Sequence, residues 1–142
     1  HKFSGGEKKR VAIAGVLAME PQVIVLDEPS SGLDPQGVRE LTGFLRTLPD
    51  TYGMTVIFST HQVDLVPEIA DYVYVMQDGM IAGEGTPDEI FLRDDLLCGA
   101  RLDVPILARL LRSLRESGIR IDAGSSYHNV ETELLRLLAD RA

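Results

Sequence analysis

The stretch "QVIVLDEP", Gln22 to Pro29, does most to limit what this chain can fold into. Val23 to Leu26 are four apolar residues in succession, three of them β-branched. Such a run reads as a short strand buried on both faces, the kind found in parallel sheets. The next segments fit the same grammar. "SSGLDPQG" forms a loop, with Asp34-Pro35 starting a helix over about Gln36 to Leu48. "MTVIFST", Met54 to Thr60, is a second buried strand, and a short helix is expected near Val63 to Ala70. "YVYVMQDGMIAGEG" gives two strands joined by a turn at Asp78-Gly79. Strand, helix, strand, helix, strand is the order of an α/β fold with a parallel sheet.

The pattern changes from Thr86-Pro87 onward. "TPDEIFL" is a capped short helix. "LDVPILARLLRSLRESG" is an amphipathic helix with Ile106, Leu107, Leu110, Leu111 and Leu114 on one face, Asp103 as cap and Gly118 as stop. "NVETELLRLLADR" is another, with Asn129 as cap. Charge changes in the same region. Residues 1–100 hold 7 basic and 16 acidic side chains, whereas residues 101–142 hold 7 and 6, which places a boundary near residue 95–100. The overall net charge of −8 argues against non-specific nucleic-acid binding, which needs a basic footprint. No apolar run approaches the roughly 18–20 residues of a membrane span. The single Cys98 excludes an internal disulfide framework and reads as a small buried apolar residue.

The opening "HKFSGGEKKRVAIAG" raises a separate question. Val11, Ile13, Ala14, Leu17 and Ala18 keep a period near 3.6, so a helix starts close to Ser4-Gly5-Gly6-Glu7. Ser4 and Glu7 have the spacing of a capping box. A cap alone does not need two glycines, each costing about 0.8–1 kcal/mol relative to Ala in a helix. Bare backbone at a helix N-terminus also suits an anion, because free N–H groups and the dipole both favour negative charge. On this segment alone both readings stand.

Three further segments fall at strand ends or helix starts, where open parallel sheets bind ligands. Asp27-Glu28 leaves a dry strand and is fixed by Pro29. One acid could serve Mg²⁺, which takes few protein carboxylates beside phosphates and water. The other could orient or deprotonate a water. Ser31-Gly32-Leu33-Asp34 is a tight loop whose simplest role is a helix cap. Ser59-Thr60-His61 ends the next strand, and a histidine there can bond both a phosphate oxygen and a water-positioning carboxylate.

Together these residues resemble the C-terminal half of an ATP-binding-cassette ATPase. "FSGGE" is similar to that family's signature motif, "VIVLDE" to its Walker B strand, "SGLD" to its D-loop and His61 to its switch histidine. Order and spacing match over residues 1–61, and the likeness continues to about residue 92. The resemblance implies an α/β fold: a partial P-loop NTPase parallel sheet lacking the Walker A half, with a small helical C-terminal extension behind it. Residues 1–95 would be the ATPase part and 96–142 the extension. By the same resemblance Asp27 serves Mg²⁺, Glu28 is the general base, His61 senses the γ-phosphate and Asp34 communicates across a dimer. Ser4, Gly5 and Gly6 would contact ATP held by a second ATP-binding subunit. The family usually has Leu at Phe3 and Gln at Glu7, and Glu7 is best kept to a capping role away from phosphate.

Within the family, "KKRVAIAGVLAMEP", "GEGTPDEIF" and the helical tail look like energy-coupling-factor importers, particularly the cobalt-type ATP-binding subunit. That likeness implies a transmembrane coupling protein and a substrate-capture protein as partners. It also implies a peripheral place on the cytoplasmic face of the membrane, and uptake of cobalt, nickel or a vitamin. Two other readings stay open. Chromosome-maintenance and DNA-repair ATPases carry the same motifs in a C-terminal half, and the tail could make this a non-catalytic interaction module. The phosphate loop G-x-x-x-x-G-K-[ST] is absent; the only lysines are Lys2, Lys8 and Lys9. The chain therefore reads as the second half of a larger subunit, inactive alone. With a strand missing from its sheet, it is expected to dimerise, swap or rearrange through unpaired edges.

Overall fold

The computed structural model describes residues 5–119, 121, 124 and 126–139. It divides into two compact units, residues 1–61 and 62–142. This division of the isolated chain falls earlier than the charge shift near residue 95–100.

In the first unit, α1 (Gly5–Leu17) precedes β1 (Val23–Asp27), α2 (Pro35–Tyr52) and β2 (Thr55–Ser59). The two strands pair in parallel, from Val23 opposite Thr55 to Asp27 opposite Ser59. Asp34 caps α2 by accepting the Gly37 N–H at 2.7 Å, with Pro35 in the first turn. The cap is close to Gly37: a Cβ there would lie 2.9 Å from Asp34 Oδ1, so the cap would have to shift to admit one. The helix runs past the expected end at Leu48. Pro49 removes one helical donor, yet a final turn closes when Gly53, at φ 62°, donates to the Pro49 carbonyl. Leu41, Leu45 and Leu48 pack with Ile13, Ile24 and Met54 into the unit's core.

All of that packing lies on one side of β1–β2. The expectation of strands buried on both faces is corrected here: Ile24 is 2% exposed, but Val23, Val25 and Ile57 are 49%, 71% and 52% exposed. Side chains alternate across a strand, and α1 and α2 share a core on the Ile24 face. Nothing among the described residues of this unit covers the Val25 face.

In the second unit, a 3-10 turn (Val63–Leu65) and α3 (Val66–Ile69) lead to β3 (Val73–Gln77) and β4 (Met80–Gly85). These strands form a separate antiparallel sheet, with Val73 opposite Gly85. The turn is the one expected: Asp78 and Gly79 both take positive φ, as a two-residue hairpin demands. Among the described residues four helices follow: α4 (Pro87–Phe91), α5 (Asp94–Gly99), α6 (Ile106–Glu116) and α7 (Tyr127–Ala139). Val75 packs with Ile90, Phe91, Leu96 and Leu97, and the 102–108 segment adds Leu102, Val104 and Ala108 to that cluster. Leu111, Ile121 and Val130 form a smaller one.

Several tail caps differ from expectation because tertiary partners supply them. The Ile106 N–H donates to Asp64 Oδ1 at 2.8 Å, so Asp64 of the 3-10 turn takes the role expected of Asp103. Helix α7 starts two residues before Asn129; Ser126 Oγ accepts the Asn129 N–H and Glu68 accepts the Tyr127 N–H. Gly118 ends α6 at φ 81°. Thr86 and Glu89 form a full capping box on α4. The Thr86 backbone and hydroxyl donors hold the Glu89 carboxyl below its usual range. Its ionised form therefore contributes stability at neutral pH, fading as pH falls through the lowered pKa. The hydrogen bond to Asp94 holds the Arg112 guanidinium above its usual range. Cys98 is exposed on α5, correcting the buried reading; Leu96 and Leu97 take the inward positions instead. Among the described residues no helix is long and apolar enough to cross a membrane.

The bare Val25 face and the unpaired strand edges favour self-association. Light scattering should give a mass above 15.6 kDa for this chain, and Val25→Lys should shift the population towards that monomer value. A single monomeric species for the unmodified chain would defeat the expectation.

Candidate functional site

The chemistry-bearing residues of the first unit meet where β1 and β2 end. The parallel register sets Asp27 directly beside Ser59, so the two strands deliver their last residues side by side. Ser59 Oγ donates to Asp27 Oδ1 at 2.5 Å. A hydrogen bond to an ionised carboxylate is charge-assisted and stronger than one between neutral groups. The Glu28 N–H turns back into the same corner, donating to the Ser59 carbonyl at 3.1 Å and to Ser59 Oγ at 3.2 Å.

Glu28 leaves the strand with φ 44°, a left-handed conformation that a non-glycine residue adopts only when its surroundings hold it. Its side chain is held as firmly as its backbone. Oε1 accepts the His61 backbone N–H at 3.0 Å and contacts His61 Nδ1 at 2.7 Å. With the carboxylate ionised, Nδ1 is the donor. The other oxygen, Oε2, is buried and has no hydrogen-bond partner among the described residues. One side of the carboxylate is thus clamped, and the other is an acceptor withdrawn from solvent. Such an orphan in a native site calls for a ligand or water. The His61 ring is mostly exposed.

The two expected catalytic residues, Glu28 and His61, are therefore brought together, with Asp27 adjacent. Asp27 is exposed, and no group of three or more His, Cys, Asp or Glu side chains among the described residues could hold a metal. A single strand-end carboxylate fits an ion carried mainly by phosphate and water, as Mg²⁺ is.

The remaining expected residues are placed differently. Ser4 and Phe3 lie outside the described residues. Gly5 and Gly6 open α1. A Cβ on Gly5 would meet nothing within 4 Å, but one on Gly6 would lie 3.0 Å from Leu33 Cδ2. Gly6 thus has a packing reason that the sequence pattern does not show: α1 sits tightly against the 28–34 loop. Asp34 spends Oδ1 on its own helix cap.

Sequence reasoning misses two participants. It places Ser59 only as part of a strand end, although the hydroxyl joins Asp27 to Glu28. It counts Lys9 only as a lysine without a phosphate loop, yet Nζ donates to the Glu28 and Ser31 carbonyls, each at 2.8 Å. The alternation of β2 and its parallel register could have found Ser59. Nothing local in the sequence marks Lys9.

The chain is similar to several known proteins. A family model described as AAA domain, putative AbiEii toxin, type IV toxin–antitoxin system, matches residues 1–66, the segment holding the strand-end site. The chain is 58% identical over 142 residues to the energy-coupling factor transporter ATP-binding protein EcfA of Methanoculleus marisnigri, covering all of this chain and 51% of that protein. It is 60% identical over 136 residues to EcfA1 of Methanospirillum hungatei, covering 96% of this chain and 49% of that one. Among solved structures, CbiO1 of Clostridium perfringens, described as part of the ABC transporter complex CbiONQ, superposes with a TM-score of 0.60. It is 44% identical, over 79% of this chain and 45% of that one. The chain spans about half the length of the curated relatives it matches. With four family motifs in order, one strand-end site and relatives of this kind, the chain is a partial ATP-binding-cassette ATPase, matching the C-terminal half of that fold and similar to energy-coupling-factor ATP-binding proteins.

Proposed function

We propose that this chain forms the catalytic half of the ATP-binding subunit of an energy-coupling-factor importer. In that subunit, ATP hydrolysis would drive uptake of a transition-metal ion, cobalt or nickel, or of a vitamin. The observation that carries the reading is the Glu28–His61 pair, 2.7 Å apart, at the shared end of two parallel strands. The names of the relatives supply the transport context. The parts divide as residues 1–95, the ATPase part, and residues 96–142, the helical extension. The proposed partners are a second ATP-binding subunit, a transmembrane coupling protein and a substrate-capture protein, on the cytoplasmic face of the membrane.

Each site residue has a role in this reading. Asp27 holds Mg²⁺ near the phosphates, its carboxylate oriented by Ser59. Bound Mg²⁺ supplies neutralisation of charge on the transferred phosphoryl group. Glu28 uses Oε2 to orient the attacking water and accept its proton, while His61 holds Oε1 so that the carboxylate does not rotate. The exposed His61 ring turns its other nitrogen, Nε2, to a γ-phosphate oxygen and donates to it in the imidazolium form, since Nδ1 already donates to Glu28. Ser4, Gly5 and Gly6 offer a helix N-terminus to ATP bound by the second subunit, and Asp34 joins the contact between subunits. A segment bearing a phosphate loop completes the nucleotide site and covers the bare Val25 face.

The decisive experiment uses the full-length subunit. Glu28→Gln should lower ATP turnover roughly 10²–10⁴-fold, the range of a lost general base, with Mg-ATP affinity within a few-fold of the parent. Turnover unchanged in that variant would overturn the role of Glu28. The 142-residue chain supplies a second prediction. Calorimetry should detect no Mg-ATP binding in the micromolar range, because the sequence has no loop to cradle the β- and γ-phosphates. Micromolar affinity would contradict the half-subunit reading.

A further inference from the structure

We infer that Lys9 is a positioning residue: it couples the start of α1 to the backbone of Glu28 and so sets the catalytic carboxylate without touching nucleotide. The inference rests on the ATPase reading above. Two hydrogen bonds span the unit. Lys9 Nζ donates to the Glu28 carbonyl and to the Ser31 carbonyl, 19 and 22 residues away in sequence, each at 2.8 Å. An ammonium has three donors in a compact head, so one lysine can bridge two carbonyls that face the same point.

Those carbonyls belong to the one backbone segment of the site that needs support. Glu28 has a left-handed φ of 44°. Its carbonyl already accepts the Ser31 N–H at 3.1 Å, which closes a turn, and the Leu33 N–H closes the next on Ser30 at 3.2 Å. The strand side is fixed by Ser59, and the side chain by His61. Lys9 fixes the remaining side, the carbonyl of Glu28, by a charge-assisted bond. Conformations of this kind persist only when the surroundings over-determine them.

The location of Lys9 gives the clamp its consequence. Lys9 lies four residues after Gly5, so the two share a face of α1, one turn apart. The same helix start touches the loop a second time, where Gly6 closes on Leu33. Displacement of the α1 N-terminus, the element proposed to meet a second subunit's nucleotide, is therefore transmitted to Glu28 through Lys9 and to the 31–34 loop through Leu33. The base is in place only when the helix start is in place. In this arrangement Lys9 affects the chemical step and leaves nucleotide affinity alone.

The test compares Lys9→Met, which keeps the stem and loses every donor, with Lys9→Arg, which keeps donors. In the full-length subunit, Lys9→Met should lower kcat at least tenfold with KM for Mg-ATP within twofold, and Lys9→Arg should recover much of the loss. In the 142-residue chain, Lys9→Met should move the His61 ¹⁵Nδ1 resonance, which reports the Glu28 contact, and Lys9→Arg should restore it. A parent-like kcat in Lys9→Met, or a KM increase with kcat unchanged, overturns the inference while the ATPase reading stands. If the unmodified full-length subunit does not hydrolyse ATP, the ATPase reading fails and this inference with it. Should Lys9→Met fail to fold, Lys9→Gln replaces it, with its shorter stem unable to bridge both carbonyls; a parent-like kcat there is equally fatal.

Discussion

The register between β1 and β2 is the constraint on which the site depends. Five residues of each strand pair in parallel, and the last pair is Asp27 with Ser59. A slip by one residue would send every side chain to the opposite face of its strand. It would take Ser59 away from Asp27, and with it both the Oγ bond to the carboxylate and the bonds from the Glu28 N–H. It would also shift His61, two residues further along, out of reach of Glu28. The core fixes the register: Ile24 and Leu26 must face inward together with Val56 to meet Leu41, Leu45 and Leu48. Apolar burial, at about 25 cal/mol per Å², is what aligns a polar site that would not align itself.

That burial is one-sided. The residues that make the strand legible, Val23 to Leu26, are apolar at all four positions, although only two of them face the core of this unit. A half-solvated strand would alternate apolar and polar residues. The composition of the strand therefore suits a second layer that the described residues of this unit do not supply. Exposed Tyr74, Met76 and Ile81 on the β3–β4 hairpin carry a related excess.

The fold is most legible in the sequence where one residue type meets one local demand. Asp78-Gly79 makes the hairpin turn, Asp34-Pro35 the start of α2, Thr86 the start of α4, and the strand ends place Asp27, Glu28 and His61. It is least legible where a partner distant in sequence takes over a local role. Asp103 and Asn129 are reasonable caps by spacing, but Asp64 and Glu68, supplied by folding, lie on the N–H groups concerned. Cys98 reads by type as buried, whereas its position beside Leu96 and Leu97 on a short helix turns it outward. Helix α2 passes through Pro49 because Leu48 is fully buried and Gly53 closes the last turn, an outcome that propensity alone does not weigh.

Glu28 shows how stability and function separate within one residue. Its backbone is strained and its Oε2 is buried without a partner among the described residues, and both features cost free energy in the resting fold. A carboxylate fully satisfied on both oxygens would be more stable and chemically idle. Here His61 satisfies one oxygen twice, which fixes direction, and leaves the other to a group that arrives from outside. The strain is held by Ser59 from the strand and by Lys9 from the helix, two contacts that approach from different elements and different parts of the chain. Removing either would let Glu28 relax towards ordinary backbone geometry and turn its carboxylate away. The arrangement thus keeps an unfavourable residue in place by surrounding it with favourable ones, and the unfavourable one is the proposed general base.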